Sequence, residues 1–122
     1  MKIQGFGHSV IGGREMNQDA FLVDNQKQLF AVADGVGGGL HGEVASKMAV
    51  DGLQAAYQPA SNLKPIMEKL AEEVLNEALE SCGGEALMGT TLTAVQITGD
   101  YAHVCHIGDS RAYLYDGVHL KQ

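Results

Sequence analysis

The stretch that decides how this chain is organised is ADGVGGGLHGE, residues 33–43. It follows the apolar run LFAVA at residues 29–33 and precedes a segment, residues 43–57, whose apolar residues recur at helical spacing. The sequence therefore predicts a strand that ends at Asp34 and then turns into a helix. Five of the eight residues from 35 to 42 are glycine, which is more than a simple turn needs. Glycine lets backbone carbonyls and amides approach a ligand closely.

The composition of the whole chain limits the classes of function. Its 122 residues suit about one domain, and eight basic against fifteen acidic side chains give a net charge of −7. That charge argues against a nucleic-acid backbone or an anionic membrane as the partner. Two cysteines, Cys82 and Cys105, are too few for a disulfide framework. Because no apolar run approaches the ~20 residues of a membrane span and no signal-peptide core is present, we expect a soluble cytoplasmic domain.

The segments on either side of the glycine-rich stretch predict an α+β fold with mainly antiparallel strands. Helices are expected at residues 43–57 and 63–81, the second capped by Asn62 and ended by Gly83-Gly84. The two helices follow one another directly, so the order is not βαβ alternation. Six or seven strands are expected where apolar, β-branched and aromatic residues cluster, at residues 2–8, 20–23, 29–33, 90–98, 101–107, 111–115 and from 118 onward.

Asp34 is the first candidate for chemistry. A carboxylate next to the Gly35 carbonyl suits a hard cation such as Mg²⁺ or Mn²⁺, which prefers oxygen ligands. Residues 37–42 also match the pattern G-x-G-x-x-G, but a dinucleotide site would need a strand after the helix, and a second helix follows instead. Asp34 would also repel a pyrophosphate, so a nucleotide- or phosphate-binding protein is the weakest of the functions considered.

Two arginines and two further aspartates stand in turn-like segments. Arg14 and Arg111 could each grip a phosphate through two parallel hydrogen bonds, although a lone arginine is more often a surface or salt-bridged residue. Asp19 and Asp109 are individually typical of caps and turns. Their appearance together with Asp34 favours a shared site for a cation and a phosphate ester.

Four motifs follow one another along the chain: GREMNQD at residues 13–19, VADGVGG with GEVAS at 32–38 and 42–46, MGTTL at 88–92, and HIGDSRAYL at 106–114. Taken in this order, they resemble the metal-dependent serine/threonine protein phosphatases of type 2C, especially the bacterial branch. The resemblance implies a sandwich of antiparallel sheets flanked by helices. We expect residues 1–122 to be the N-terminal portion of a single catalytic domain of this kind, truncated to two helices and six or seven strands.

The resemblance also implies the site. Asp34 would bridge two Mn²⁺ or Mg²⁺ ions, with the Gly35 carbonyl on one of them, and Asp109 would contribute to a third metal position. Arg14 would hold the phosphate oxygens, and Asp19 would contact a cation through water. A water held between the ions would attack phosphorus in line. The expected substrate is a phosphoserine or phosphothreonine protein in a signalling pathway.

Three departures from the family pattern bear on these expectations. Many members carry glutamate where Gln18 stands, and a neutral amide is expected to weaken that contact. The histidine often found after the Gly-Gly pair is replaced by Gly39, while His41, considered as a general acid, stands two residues later. Further aspartates of the family lie beyond the Gly-Asp-Ser-Arg segment, so residues 1–122 are expected to have little or no activity alone.

Two expectations concern the 122-residue chain by itself, one about its activity and one about its association. The alternative to a phosphatase fragment is a non-catalytic short form that binds a phosphoprotein or another partner without turnover. A truncated sandwich leaves a sheet edge or face uncovered, which predicts self-association, strand exchange or disorder near residues 110–122.

Overall fold

The structure is a computed structural model that describes residues 2–37, 41–81, 83–84 and 88–122. The helices are α1 (His41–Ala56) and α2 (Leu63–Ser81). The strands are β1 (Asp19–Asp24), β2 (Leu29–Gly37), β3 (Met88–Thr90), β4 (Leu92–Thr98), β5 (Tyr101–Ile107), β6 (Leu114–Tyr115) and β7 (Leu120–Lys121). The α+β class, with two helices and antiparallel sheets, is confirmed for these residues.

The main sheet has the order β1-β2-β4-β5, with β3 pairing the far end of β2, and every pairing is antiparallel. Strands β6 and β7 form a separate hairpin. Along β2 the side chains alternate, since Leu29, Ala31 and Ala33 are buried while Val32 and Asp34 are exposed. This alternation places the core on one face of the sheet and Asp34 on the other.

Both helices pack on the buried face of the sheet. Their apolar stripes and the inward residues of the strands form one main cluster, which includes Leu29, Ala31, Ala33, Ala49, Leu53, Met67, Leu70 and Leu92. Lys27, in the turn between β1 and β2, fastens α1 to the sheet because its Nζ donates to the carbonyl oxygens of Gln54 and, at 2.8 Å, Tyr57. A cation at the last carbonyls of a helix also interacts favourably with the helix dipole, and the last turn of α1 has no basic residue of its own.

The ends of α2 confirm the predicted capping. The Asn62 side-chain oxygen accepts the Lys64 N–H at 3.1 Å, and the Gly84 N–H donates to the Leu79 carbonyl at 2.7 Å. No described helix is long and apolar enough to cross a membrane.

The prediction of a strand at residues 2–8 is wrong. The backbone there bonds to side chains of the β1–β2 turn, since Ile3 N–H donates to Gln28 Oε1 at 2.7 Å and Gly5 N–H donates to Asn25 Oδ1 at 2.8 Å. Those bonds occupy the N–H groups that a strand would offer to a neighbouring strand. The segment instead crosses the exposed face of the sheet, where Gly5 and Gly7 lie against the rings of Phe30 and Phe21.

Several strand boundaries also differ from expectation. Strand β2 continues past Asp34 to Gly37 because its last three residues pair with β3. The expected strand at 90–98 is divided at Thr91 into β3 and β4, and the one at 111–115 shrinks to Leu114–Tyr115. Cys82, next to the expected end of the second helix, and the centre of the glycine loop, residues 38–40, lie outside the described residues.

Candidate functional site

Asp34 and Asp19 face each other across the β1–β2 pair, on the side of the sheet away from the helices. Partial burial raises the pKa of Asp34 above its ordinary value, as do a hydrogen bond with the Asp19 carboxyl group and the negative charges of Asp19 and Asp109. Arg14 opposes this effect. Three other predicted site residues, Asp19, Asp109 and Arg14, therefore lie close enough to Asp34 to affect its charge.

Gly35, the fifth predicted residue, lies where three segments of backbone meet. Its N–H donates to the Gln18 carbonyl at 3.0 Å, and a Cβ at this position would fall 2.0 Å from the Gly42 carbonyl oxygen and 2.6 Å from that of Gln18. Only glycine fits so close an approach. Because the N–H and C=O of a strand residue point to the same side, the Gly35 carbonyl faces the loop that carries Arg14 and Asp19.

A small cleft opens between that loop and the end of β2. It has a volume of about 190 Å³, and its polar lining comes from Arg14, Asn17, Gln18, Asp19, Asp34 and Gly35. Carboxylate and carbonyl oxygens with a nearby guanidinium can hold a divalent cation together with a phosphate group. The cleft thus contains the residue types that the sequence singled out for this chemistry.

Arg111 lies on the other side of Asp34. A second groove, of about 460 Å³, is lined by Asp19, Asp34, Ser110 and Arg111 together with His8 and Ser9. Both arginines of the chain therefore border the same pair of carboxylates, Arg14 in the first cleft and Arg111 in the second. The sequence left Arg111 undecided between a phosphate contact and a surface residue, and the structure places it at the site.

Gln18 has a role that the sequence did not reveal. Its Nε2 donates to the Gly37 carbonyl at 2.8 Å. Its side-chain amide also packs against Gly42, where a Cβ would fall only 2.8 Å from the amide nitrogen and oxygen. The amide therefore holds together the end of β2 and the start of α1. An ionised carboxylate has no N–H to donate and could not make this contact. The expectation that an amide weakens the contact made by the family's glutamate stays a prediction.

Thr91 is the other residue that sequence reasoning missed. It accepts the Asp34 N–H on its Oγ1 at 2.9 Å and shares a hydrogen bond of 2.8 Å with Ser110 Oγ. The only signal in the sequence was the MGTTL segment, which carried no role by itself. His41 begins α1, and the general-acid role considered for it stays a prediction.

The donors at this site fit Mg²⁺ or Mn²⁺ in kind. They are all oxygen atoms. Burial, together with the hydrogen bond and negative charge of Asp19 and the charge of Asp109, raises the pKa of Asp34, and a divalent cation would offset the repulsion between these carboxylates. They do not make a full ligand set, because among the described residues no three side chains of His, Cys, Asp or Glu converge closely enough to hold one ion. The chain itself thus presents part of a cation site.

The clustered carboxylates predict the sign of a pH effect on stability. A carboxyl whose pKa is raised by folding destabilises the fold once it ionises, and this penalty vanishes as the pH falls towards the ordinary value of 3.8. Without divalent cations, Asp34→Asn should therefore raise the free energy of unfolding at pH 7, with the gain shrinking as the pH falls. Urea unfolding at several pH values, followed by circular dichroism, measures this.

Asp24→Asn is the matched control. The N–H of Lys27 and the amide of Gln54 lower the pKa of Asp24, so its charge stabilises the fold above pH 3.8. This substitution should lower the free energy of unfolding at pH 7. Shifts of the same sign for the two variants would contradict the electrostatic interpretation.

The contact at Gly35 predicts a large effect of one methyl group. Gly35→Ala should lower the free energy of unfolding by about 3 kcal/mol or more, at or beyond the upper end of the usual overpacking range, because the neighbouring atoms are backbone and cannot turn away. Gly13→Ala, with no atom within 4 Å of the new methyl, should change it by less than about 0.5 kcal/mol. Chemical denaturation of both variants provides the comparison, and equal effects would show that the contact is not tight.

Comparison with known proteins shows which proteins this chain resembles. The family model for protein phosphatase 2C matches residues 6–120. The serine/threonine phosphatase stp of Listeria monocytogenes is 32% identical over 117 residues, covering 88% of this chain and 46% of the relative. The serine/threonine protein phosphatase PstP of Mycobacterium tuberculosis is 36% identical over 121 residues, covering 89% of this chain and 22% of the relative.

A solved structure gives the same result for the fold. The catalytic domain of PstP in complex with two manganese ions superposes with a TM-score of 0.75 at 30% identity, covering 100% of this chain and 52% of that one. The chain thus spans about half the length of the Listeria phosphatase and of this catalytic domain. The resemblance inferred from four sequence segments is confirmed, and this chain belongs to the protein phosphatase 2C family.

Proposed function

We propose that residues 1–122 form the N-terminal portion of a single catalytic domain that hydrolyses phosphoserine and phosphothreonine esters in proteins. The observation that carries this proposal is the arrangement around Asp34, where Asp19 and Asp109 concentrate negative charge and Arg14 borders the same cleft. The relatives, which are named as serine/threonine phosphatases, support the substrate class.

Each residue of the site has a role in the proposal. Asp34, the Gly35 carbonyl and Asp109 would hold Mn²⁺ or Mg²⁺, two or three ions in a complete domain, and Asp19 would contact a cation through water. The Arg14 guanidinium would bind the phosphate oxygens and compensate their charge. The cations supply the activation of a water and the stabilisation of charge on the phosphoryl group. The two manganese ions named for the PstP catalytic domain support this choice of metal.

The proposal assigns only part of the catalytic machinery to this chain. No three ligating side chains converge among the residues described, and the chain spans about half of the relatives' catalytic length. We therefore expect residues 1–122 alone to turn over substrate slowly or not at all. The alternative, a short form that binds a phosphoprotein without hydrolysing it, has the same residues in the cleft.

A chimaera tests the catalytic assignment. Residues 1–122 would replace the matching segment of the Listeria phosphatase stp, and hydrolysis of p-nitrophenyl phosphate and of a phosphoserine peptide would be followed with Mn²⁺. We expect Mn²⁺-dependent turnover, and Asp34→Asn should lower kcat at least about 100-fold, the usual cost of removing one preorganised electrostatic group.

The control in the same chimaera is Asp24→Asn, which lies on β1 beside α1 and should keep kcat within a few-fold. Circular dichroism establishes that each chimaera is folded. Full turnover by the Asp34→Asn chimaera would overturn the assignment of Asp34. Saturable phosphopeptide binding by a folded chimaera without turnover would favour the non-catalytic alternative.

We also propose that the chain acts in the cytoplasm, in signalling by dephosphorylation. The low cysteine count supports the location.

We further propose that the chain associates with itself through the uncovered side of its sheets. The apolar side chains of Tyr113, Leu114, Val118 and Leu120, each more than half exposed around the β6–β7 hairpin, support the association.

Light scattering coupled to size exclusion measures this association. The mass of the purified chain should rise above 12.9 kDa with increasing concentration. Val118→Lys should reduce that rise, because it places a charge on the exposed hairpin. Ala55→Lys makes the same charge change at an exposed position of α1 and should leave the rise in mass unchanged. A monomer at every concentration would contradict the proposal.

A further inference from the structure

Thr91 occupies the junction between β3 and β4, directly opposite Asp34. Gly35 pairs with Thr90 in the antiparallel β2–β3 pair. In the same register, Asp34 therefore lies opposite Thr91. Two facing residues of an antiparallel pair commonly exchange both backbone hydrogen bonds. Here the Thr91 N–H donates to the Asp34 carbonyl at 3.0 Å, but the Asp34 N–H donates to Thr91 Oγ1 at 2.9 Å. The Thr91 carbonyl accepts from Thr90 Oγ1 instead, at 2.8 Å.

The Thr91 hydroxyl makes a second bond in the opposite direction. It lies 2.8 Å from Ser110 Oγ, and a hydroxyl with one proton and two lone pairs can accept from Asp34 while it shares a proton with Ser110. The methyl group of Thr91 contacts the same turn, because a Cβ on Gly108 would fall 2.6 Å from Thr91 Cγ2. Gly108 has φ +104°, so this close approach is made by a glycine in a conformation that other residues rarely adopt.

One side chain therefore links two acidic segments that are distant in sequence. The hydroxyl holds the backbone of Asp34, while the hydroxyl and the methyl together hold Gly108 and Ser110, the residues on either side of Asp109. The charge of Asp109 acts on Asp34, so the two carboxylates are close enough to interact. The spacing between them depends on how the 108–110 turn sits against β2.

We propose that Thr91 is a positioning residue that fixes the Asp109 turn relative to Asp34 and so sets the geometry of the cation site. This inference rests on the proposed function, since it concerns the same carboxylates. Residues that orient metal ligands from behind typically change metal affinity by about 10–100-fold when they are substituted. The hydroxyl carries the bond to Asp34, so its loss should have the larger effect, and the methyl should matter less.

Two substitutions separate the hydroxyl from the methyl. Thr91→Val keeps the shape of the side chain and removes the hydroxyl, whereas Thr91→Ser keeps the hydroxyl and removes the methyl. In the 122-residue chain, amide hydrogen exchange by NMR reports the Asp34 N–H directly. Mn²⁺ titration, followed by paramagnetic broadening of the Asp34 and Asp109 amide signals, reports the cation site.

We expect Thr91→Val to speed exchange of the Asp34 amide roughly tenfold, the effect of losing one hydrogen bond. It should also weaken Mn²⁺ binding by about 10–100-fold. Thr91→Ser should keep both properties within a few-fold of the unsubstituted chain. If Thr91→Val does not fold, Thr91→Ala, which cannot overpack the junction, takes its place in the comparison with serine.

Thr93→Val is the matched control. Thr93 lies two residues beyond Thr91, on β4, and its hydroxyl shares a hydrogen bond of 2.9 Å with His106 Nδ1. This variant therefore loses a hydroxyl bridge between β4 and β5 without removing the bond to Asp34. Its Asp34 exchange and Mn²⁺ affinity should stay within about twofold. If Thr93→Val changed the Asp34 exchange rate and the Mn²⁺ affinity as much as Thr91→Val does, the effect would be one of general destabilisation and the inference would be overturned.

The remaining outcomes separate this inference from the proposed function. A Thr91→Val chain whose Asp34 amide exchanges as slowly as before overturns the positioning role, whatever the metal does. Serine behaving like valine overturns it as well, because the hydroxyl would then not be the active group. An unsubstituted chain with no Mn²⁺-induced broadening at these amides counts against Mn²⁺ binding by the part of the site that this chain carries, while the exchange comparison still decides the role of Thr91.

Discussion

The close backbone contact at Gly35 is the constraint on which the rest of the structure depends. The carbonyls of Gln18 and Gly42 both lie where any side chain on this residue would have to go. With glycine, β2 passes directly beneath the first turn of α1, and the helix can then pack along the sheet. The preceding residue on the strand, Asp34, points to the opposite face by alternation. Packing and chemistry are thus assigned to opposite faces by two consecutive residues.

The apolar core on one face of the sheet stabilises the acidic residues on the other face. Burial and neighbouring negative charge raise the pKa of Asp34, so its ionised carboxylate opposes folding at neutral pH. The apolar cluster between α1, α2 and the sheet offsets this opposition from the far side of β2. The two arginines line the clefts that border this acidic pair, Arg14 in the first and Arg111 in the second.

Elements whose signals are local could be predicted from the sequence. Helix α2 was predicted at both ends because Asn62 and Gly83-Gly84 act within a few residues of it. Strand β5 and the two-residue turn before it followed from a β-branched and aromatic run after Gly99-Asp100. The α+β class followed from the order of such segments.

Features that depend on distant partners could not be predicted. The extension of β2 to Gly37 requires β3, about fifty residues later, and the break at Thr91 depends on Asp34 and on the turn at Ser110. The candidate site shows the same division. Four short motifs were enough to predict that its main residues share one site. The contact of the Gln18 amide with the Gly37 carbonyl could not be predicted, because it forms only when the two segments meet in the fold.

Strand β5 has a consequence for how the molecule behaves in a crowded solution. It forms one border of the main sheet, and its seven residues, YAHVCHI, include no lysine, acidic residue or proline. Sheet borders are commonly protected by such residues, which discourage a foreign strand from adding to the open ladder. The net charge of −7 repels a second copy at long range, and salt weakens that repulsion. The addition of a strand at this border should therefore become easier as the ionic strength rises.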